Sequence, residues 1–268
     1  MAMAHGGTVQ RMDELAALES PAHRLDARAK AVVTFAFLVA VMSFPRHEVV
    51  ALAPYVLYPV ALLSLGGIPA RWILKKLLVA APFALFIGLF NPLLDRQPVA
   101  LPGGLFVAAG WLSFASILAR FALTVSAALA LVACTGMDRL CAGLERLGLP
   151  RAFAVQLLFL HRYLFVISDE ARRMRYGLAL RTADGRAPSL RVYGSLLGHL
   201  LLRSMDRAQR IYGAMLARGF DGEIRILGTA RWTARDALFT TGWLAFFAAA
   251  RFWNLPEFAG RLLTGELR

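Results

Sequence analysis

The sequence predicts an all-α integral membrane protein, with about five transmembrane helices and a cytoplasmic module of long helices. Three observations predict it. The 268 residues are 58% apolar with a mean hydropathy of +0.57, too apolar for an ordinary soluble domain. Apolar blocks long enough to cross a bilayer recur along the chain. Set between them, from Asp138 to Arg235, lies a helical stretch with 17 Arg against 8 Asp or Glu. The net charge is +13. In a soluble chain that would point to nucleic acid. Beside membrane helices it reports the positive-inside rule and contact with anionic lipid, so no nucleic-acid partner is expected.

The elements follow in chain order. No cleavable signal peptide is expected, because the first 27 residues hold no apolar run and carry Arg11, Asp13 and Glu14. Residues 8–19 place Val9, Met12, Leu15, Ala16 and Leu18 on one face, the spacing of a short amphipathic helix on a membrane surface that Ser20-Pro21 ends. Span one runs from about Ala29 to Phe44, and span two from about Val49 to Leu65 with kinks at Pro54 and Pro59. Span three runs from about Leu77 to Leu94, after Arg71, Lys75 and Lys76. Pro92, Pro98, Pro102 and Gly103-Gly104 form a loop. Span four, about Phe106 to Cys134, contains Arg120, which must face protein or reach for the interface. Span five runs from about Ala237 to Trp253, with Phe252 and Trp253 as a headgroup belt.

Arg and Lys counts orient the chain. Arg24, Arg28, Lys30, Arg71, Lys75, Lys76 and the basic stretch fall on one side, against Arg46 and Arg96 on the other. The first side is expected to be the cytoplasm. The expected divisions are an N-terminal amphipathic segment (1–28), four transmembrane helices (29–134), the cytoplasmic module (135–235), and a last transmembrane helix with its tail (236–268). Cys134 and Cys141, about 10 Å apart on any continuous helix, read as buried thiols and not a disulfide. Gly136 makes that continuity doubtful.

The basic module reads as three helices. The first is Met137 to Leu147, closed by Gly148 and Pro150. The second runs from Arg151 to about Ala179, apolar up to Ile167 and charged beyond. The third runs from Pro188 to Arg218, with Gly219 as its cap. Both long helices end in an Arg beside small residues, Leu180-Arg181-Thr182 and Ala217-Arg218-Gly219. A guanidinium projecting from a helix end can grip a carboxylate in bidentate fashion. A cation there also simply complements the helix dipole. Gly194 and Gly198, one turn apart, would let another helix cross closely.

Enzyme and metal chemistry find little support. No phosphate-binding Gly-x-x-x-x-Gly-Lys-Ser/Thr loop, His-Glu-x-x-His or Gly-x-Ser-x-Gly occurs in the chain. His5, His23, His47, His161 and His199 have no His or Cys three or four residues away, so no metal ligand set and no cofactor bound by this chain is expected. A lipid-modifying membrane enzyme would rest on His161, Arg162, Asp169, Glu170, Asp206, Asp221 and Glu223, but ion pairing within the helix explains Asp169 and Glu170 more simply. A carrier or channel not driven by ATP would need internal repeats or charges deep in several spans, and only Arg120 qualifies.

Three stretches resemble a known family. They are Ser20-Pro21-Ala22-His23-Arg24-Leu25-Asp26-Ala27-Arg28-Ala29-Lys30, then Leu147-Gly148-Leu149-Pro150 through His161-Arg162-Tyr163-Leu164-Phe165 with Glu170 and Arg175 beyond, and Met215-Leu216-Ala217-Arg218-Gly219-Phe220. With the span layout, the chain resembles the transmembrane T component of energy-coupling factor (ECF) transporters, most closely the cobalt-type CbiQ. The resemblance implies a non-catalytic subunit of the bacterial cytoplasmic membrane, working with two ABC-type ATPase subunits that bind ATP and Mg, and with a membrane subunit that binds the metal ion. It implies that Arg181 and Ala217-Arg218-Gly219 are the ATPase-coupling residues. The second matches the family's Ala-Arg-Gly directly, and the first keeps only its Arg.

Overall fold

The computed structural model describes residues 11–18, 20–45, 49–94, 98–100, 106–181, 189–222 and 232–252. Residues 11–16 form α1. Then come α2 (Pro21–Arg24), α3 (Ala27–Met42), a 3-10 helix (Val50–Val56) running into α4 (Leu57–Gly66), and α5 (Ala70–Leu94). Two short strands follow, β1 (Pro98–Ala100) and β2 (Phe106–Ala108), then α6 (Ala109–Thr135), α7 (Met137–Arg146), α8 (Arg151–Arg181), α9 (Leu190–Ala217) and α10 (Ala234–Phe252). The protein is an all-α membrane protein. Two compact units make it up: Arg11–Gly143 with Thr229–Arg268, and Leu144–Gly228 with Met1–Gln10. The boundary falls inside α7.

Several elements depart from the sequence expectation. Pro21 opens α2 at its first position, where a missing N–H is harmless. Span two is tightened into a 3-10 helix around Pro54 before α4 begins. Span three starts at Ala70 and runs through both Pro82 and Pro92 to Leu94, so Pro92 is helical and not part of a loop. Pro98–Ala100 pairs antiparallel with Phe106–Ala108, so α6 begins after Phe106, at Ala109. The turn at 46–48, Gly103-Gly104, Thr182 to Pro188, Glu223 and Trp253 lie outside the described residues.

Among the described residues, three helices are long and apolar enough to cross a membrane: Ala70–Pro92, Ala109–Thr135 and Arg151–Arg181. The first two are predicted spans. The third is α8, which the sequence assigns whole to the module. Its apolar half, up to Ile167, qualifies it, and composition does not separate a lipid-facing from a protein-facing helix. The other three predicted spans are helical but miss the criterion. α3 has 16 residues, Val50–Gly66 is shorter than 18, and α10 carries Arg235, Asp236 and Arg251.

The first unit is stitched by buried polar groups. Lys30 is 1% exposed. Its Nζ donates to the Ala22 carbonyl at 3.0 Å and the Cys134 carbonyl at 2.8 Å, tying α3 to α2 and to the last turn of α6. Asp26 caps α3 by accepting from the Arg28 N–H at 2.8 Å and forms an ion pair with the Arg28 side chain at 2.9 Å. The Asp26 N–H donates to Asp236 Oδ1 at 2.8 Å. Asp236 Oδ2 accepts from the Thr233 N–H at 2.9 Å, the return half of a capping box on α10. One carboxylate therefore serves two helix N-termini, where negative charge is favoured. His23 Nε2 lies 3.0 Å from the Leu15 carbonyl and Nδ1 lies 2.6 Å from Ser20 Oγ. Both contacts are met by the neutral ring with Nε2 protonated.

Packing builds outward from there. Gly136 takes a left-handed φ of 76° and breaks α6 from α7, as the doubtful continuity foresaw. At Gly143 a Cβ would fall 2.9 Å from that of Ala27, so only glycine lets α7 approach α3 this closely. Phe37, Tyr55, Tyr58, Trp243 and Phe247 form one aromatic cluster joining α3, the Val50–Gly66 helix and α10. The Tyr58 and Tyr55 hydroxyls find Thr34 Oγ1 and the Phe247 carbonyl. Small residues on α6, Ala127, Ala130 and Ala133, are fully buried and permit close helix contact. Arg120 donates to the Phe44 and Pro45 carbonyls at 3.0 and 2.6 Å, just beyond the C-terminus of α3. Its contacts are those of a cap. Both cysteines are free and buried.

Two outcomes are expected. Lys30→Met should leave the Ala22 and Cys134 carbonyls without their donor and cost about 1–3 kcal/mol, read as a lower melting temperature of the purified protein. Burial, first, together with Lys30 and Arg139, lowers the His23 pKa from its ordinary 6.5. The folded state thus prefers the neutral ring. That contribution is complete above about pH 6.5 and is lost as the pH falls through it. Melting temperatures of the wild type should drop between pH 7 and 5 more steeply than those of His23→Gln.

Candidate coupling site

The second unit is dominated by two long helices that bury almost nothing of themselves. In α8 only Ala154 is buried, and in α9 no residue is. Local chemistry sets their ends. Gly148, at φ 109°, stands just past the end of α7, where the Leu149 and Gly148 N–H groups reach back to Leu144 and Glu145. Pro150 follows, and α8 starts at once.

One ion-pair node joins the helices. Arg203 Nη1 of α9 donates to Glu170 Oε1 of α8 at 2.7 Å, and Arg207 Nη2 lies 3.8 Å from Glu170 Oε2. Ion pairing within α8 was expected for both acids. It holds for Asp169, 3.7 Å from Arg172 one turn on, but Glu170 reaches across to α9 instead. The Arg203 hydrogen bond, first, with the charges of Arg203, Arg207 and Arg173, holds its carboxyl below the ordinary value. Beside this node the helices enclose a groove of about 530 Å³, lined by Val155, Phe159, Tyr163, Ile211, Met215 and Phe220 among others.

The predicted coupling residues lie at the helix ends. Arg181 is the last residue of α8 and is exposed. Ala217 is the last residue of α9, Arg218 is its C-cap, and both are exposed. Gly219 follows at φ 78°. The Gly219 N–H donates to Leu216 and the Phe220 N–H to Met215, each at 3.0 Å, a complete Schellman cap. The strictly left-handed residue is Gly219, so it stands one position past the cap. Neither the Arg181 nor the Arg218 side chain makes a hydrogen bond or ion pair with a described residue. They extend roughly 16 Å and roughly 22 Å beyond the Glu170–Arg203 node along their own helices. Gly194 and Gly198 are exposed, and a Cβ at either would meet nothing within 4 Å.

The sequence missed two features here. The Glu170–Arg203 pair is invisible to it, because nothing local specifies which helix faces which. Phe220 was legible, since an apolar residue after a capping glycine commonly packs back onto the last turn. Among the described residues no three His, Cys, Asp or Glu side chains gather as a metal site would require.

Comparison with known proteins identifies the family. The model of the CbiQ family, described as cobalt transport protein, matches residues 19–227. The chain is 32% identical to the cobalt transport protein CbiQ of Rhodobacter capsulatus over 34% of this chain and 37% of that protein. It is 32% identical to the nickel permease LarQ of Lactiplantibacillus plantarum over 45% of this chain and 44% of that protein. The energy-coupling factor transporter transmembrane protein EcfT of Heliobacterium modesticaldum is 29% identical over 76% of this chain and 82% of its own length. The matches to the first two thus span well under half of those relatives.

Gly219→Ala should cost about 1 kcal/mol, because alanine is strained at that φ. Hydrogen exchange of the Gly219 and Phe220 amides should quicken while mid-α9 amides stay unchanged. Gly219→Asn, which enters the left-handed region more readily, should be milder.

Proposed function

Because the chain belongs to the CbiQ family of cobalt transport proteins, we propose that it is the transmembrane coupling subunit of an ATP-driven importer of the ECF type, with cobalt ions as cargo. Two ABC-type ATPase subunits supply the energy and bind ATP and Mg. A separate membrane subunit holds the metal. This chain is non-catalytic and transmits motion between them. It lies in the cytoplasmic membrane, with α8 and α9 at the cytoplasmic face.

The observation that carries this reading is the pair of arginine-tipped helices inside the matched region. α8 and α9 bury little of their own surface, are pinned together at Glu170, and end in Arg181 and Arg218 with no partner among the described residues. A rigid helix ending in an unpaired guanidinium suits transfer of force to a carboxylate on a moving partner. Ala217 and Gly219 keep the approach to Arg218 clear. Gly194 and Gly198, open within this chain, leave room for a helix of another subunit. Likeness to a nickel permease favours nickel as the second reading of the cargo.

Arg218→Ala, assayed in the assembled complex in vesicles, should lower metal uptake on the order of tenfold, the loss of one charge-assisted contact. Arg210→Ala, an exposed mid-helix change on α9, should leave uptake near wild type. Wild-type uptake and ATPase activity in Arg218→Ala would overturn the coupling role. Competition of cobalt against nickel in the same vesicles decides the cargo.

A further inference from the structure

In the first unit α4 and α5 are joined by only Gly67–Pro69, yet they hardly touch one another. Each packs instead on α6. The wedge left between them is a cleft of about 710 Å³, with Ala53, Val60 and Leu63 on one wall, Arg71 and Leu74 on the other, and Ala122 on the floor. Among the described residues lining it, Arg71 alone is charged. Arg71 is exposed, as is Lys75 one turn further along the same face, and neither side chain makes a hydrogen bond or ion pair with a described residue.

We propose that this cleft holds one anionic phospholipid, with an acyl chain lying between α4 and α5 and the phosphate on Arg71. α5 and α6 are membrane-crossing in length and composition, so the cleft opens to hydrocarbon and an apolar occupant fills it. Charge picks the headgroup. An unpaired guanidinium at the mouth of an apolar cleft binds phosphate through paired N–H donors, and Lys75 adds attraction for net negative charge. A zwitterionic lipid offers the same phosphate, but its own cation offsets that attraction. The inference rests on the membrane reading of this unit and not on the coupling role of α8 and α9.

The test is native mass spectrometry of the full chain in detergent, with phosphatidylglycerol and phosphatidylcholine added in turn. The wild type should retain one phosphatidylglycerol in preference to phosphatidylcholine. Arg71→Gln, an exposed change that leaves the fold intact, should weaken phosphatidylglycerol retention about five-fold and leave phosphatidylcholine unchanged. Ala122→Phe should fill the floor and abolish retention of both lipids. Val60→Phe, from the opposite wall, repeats that test if Ala122→Phe lowers the melting temperature. Equal retention of the two lipids by the wild type, or unchanged phosphatidylglycerol in all the variants, would overturn the proposal. So would cleft-filling variants that keep the lipid but no longer copurify with a second membrane subunit, since the cleft would then seat a helix. The lipid-retention measurements use this chain alone, so failure of the coupling reading leaves them standing.

Discussion

The first unit depends on a buried ammonium. Lys30 is almost wholly removed from solvent, and such a cation is tolerated only where polar groups replace its water. Two carbonyls do so, Ala22 in α2 and Cys134 at the end of α6. The C-terminal carbonyls of a helix carry its negative pole, so the bond to Cys134 is also a dipole contact. Around it, Asp26, Arg28 and Asp236 fasten the first turns of α3 and α10. The stretch from Ser20 to Lys30 reads as a polar prelude to a membrane span. In the fold it is the knot that gathers α2, α3, α6 and α10. That gives a physical reason why a polar stretch helped mark the family.

The unit built on α8 and α9 follows the opposite logic. It has a cross-helix ion-pair node at Glu170 and an apolar groove, but no buried residue along α9. Most helical stability in a protein comes from packing one face against something else. Exposed Leu197, Leu201 and Tyr212 on α9, with Phe153 and Leu160 on α8, are large apolar side chains awaiting such cover.

Features governed by local rules were legible in the sequence. Gly148 with Pro150, and Gly219, announced helix ends, and Gly136 announced a break, because a left-handed residue beside a helical run has few other uses. Features governed by context were not. Pro92 looked like a loop residue, yet a proline in a membrane helix is tolerated when neighbouring helices support the turn. Glu170 looked satisfied by its own helix until the approach of α9 supplied Arg203. Arg120 was expected to face protein or reach for the interface, but only the fold shows that the end of α3 brings two carbonyls to it.

By itself the sequence determined the class of solvent, the helical elements, their punctuation and the family, since hydropathy, periodicity and capping act within a few residues. Only the tertiary structure decided which buried charges are answered and by whom. Lys30 and Cys134 are 104 positions apart, and Asp26 and Asp236 are 210 apart. No local pattern encodes those partners, because in a membrane unit helix pairing is chosen by packing shape and by the few polar groups that must find one another.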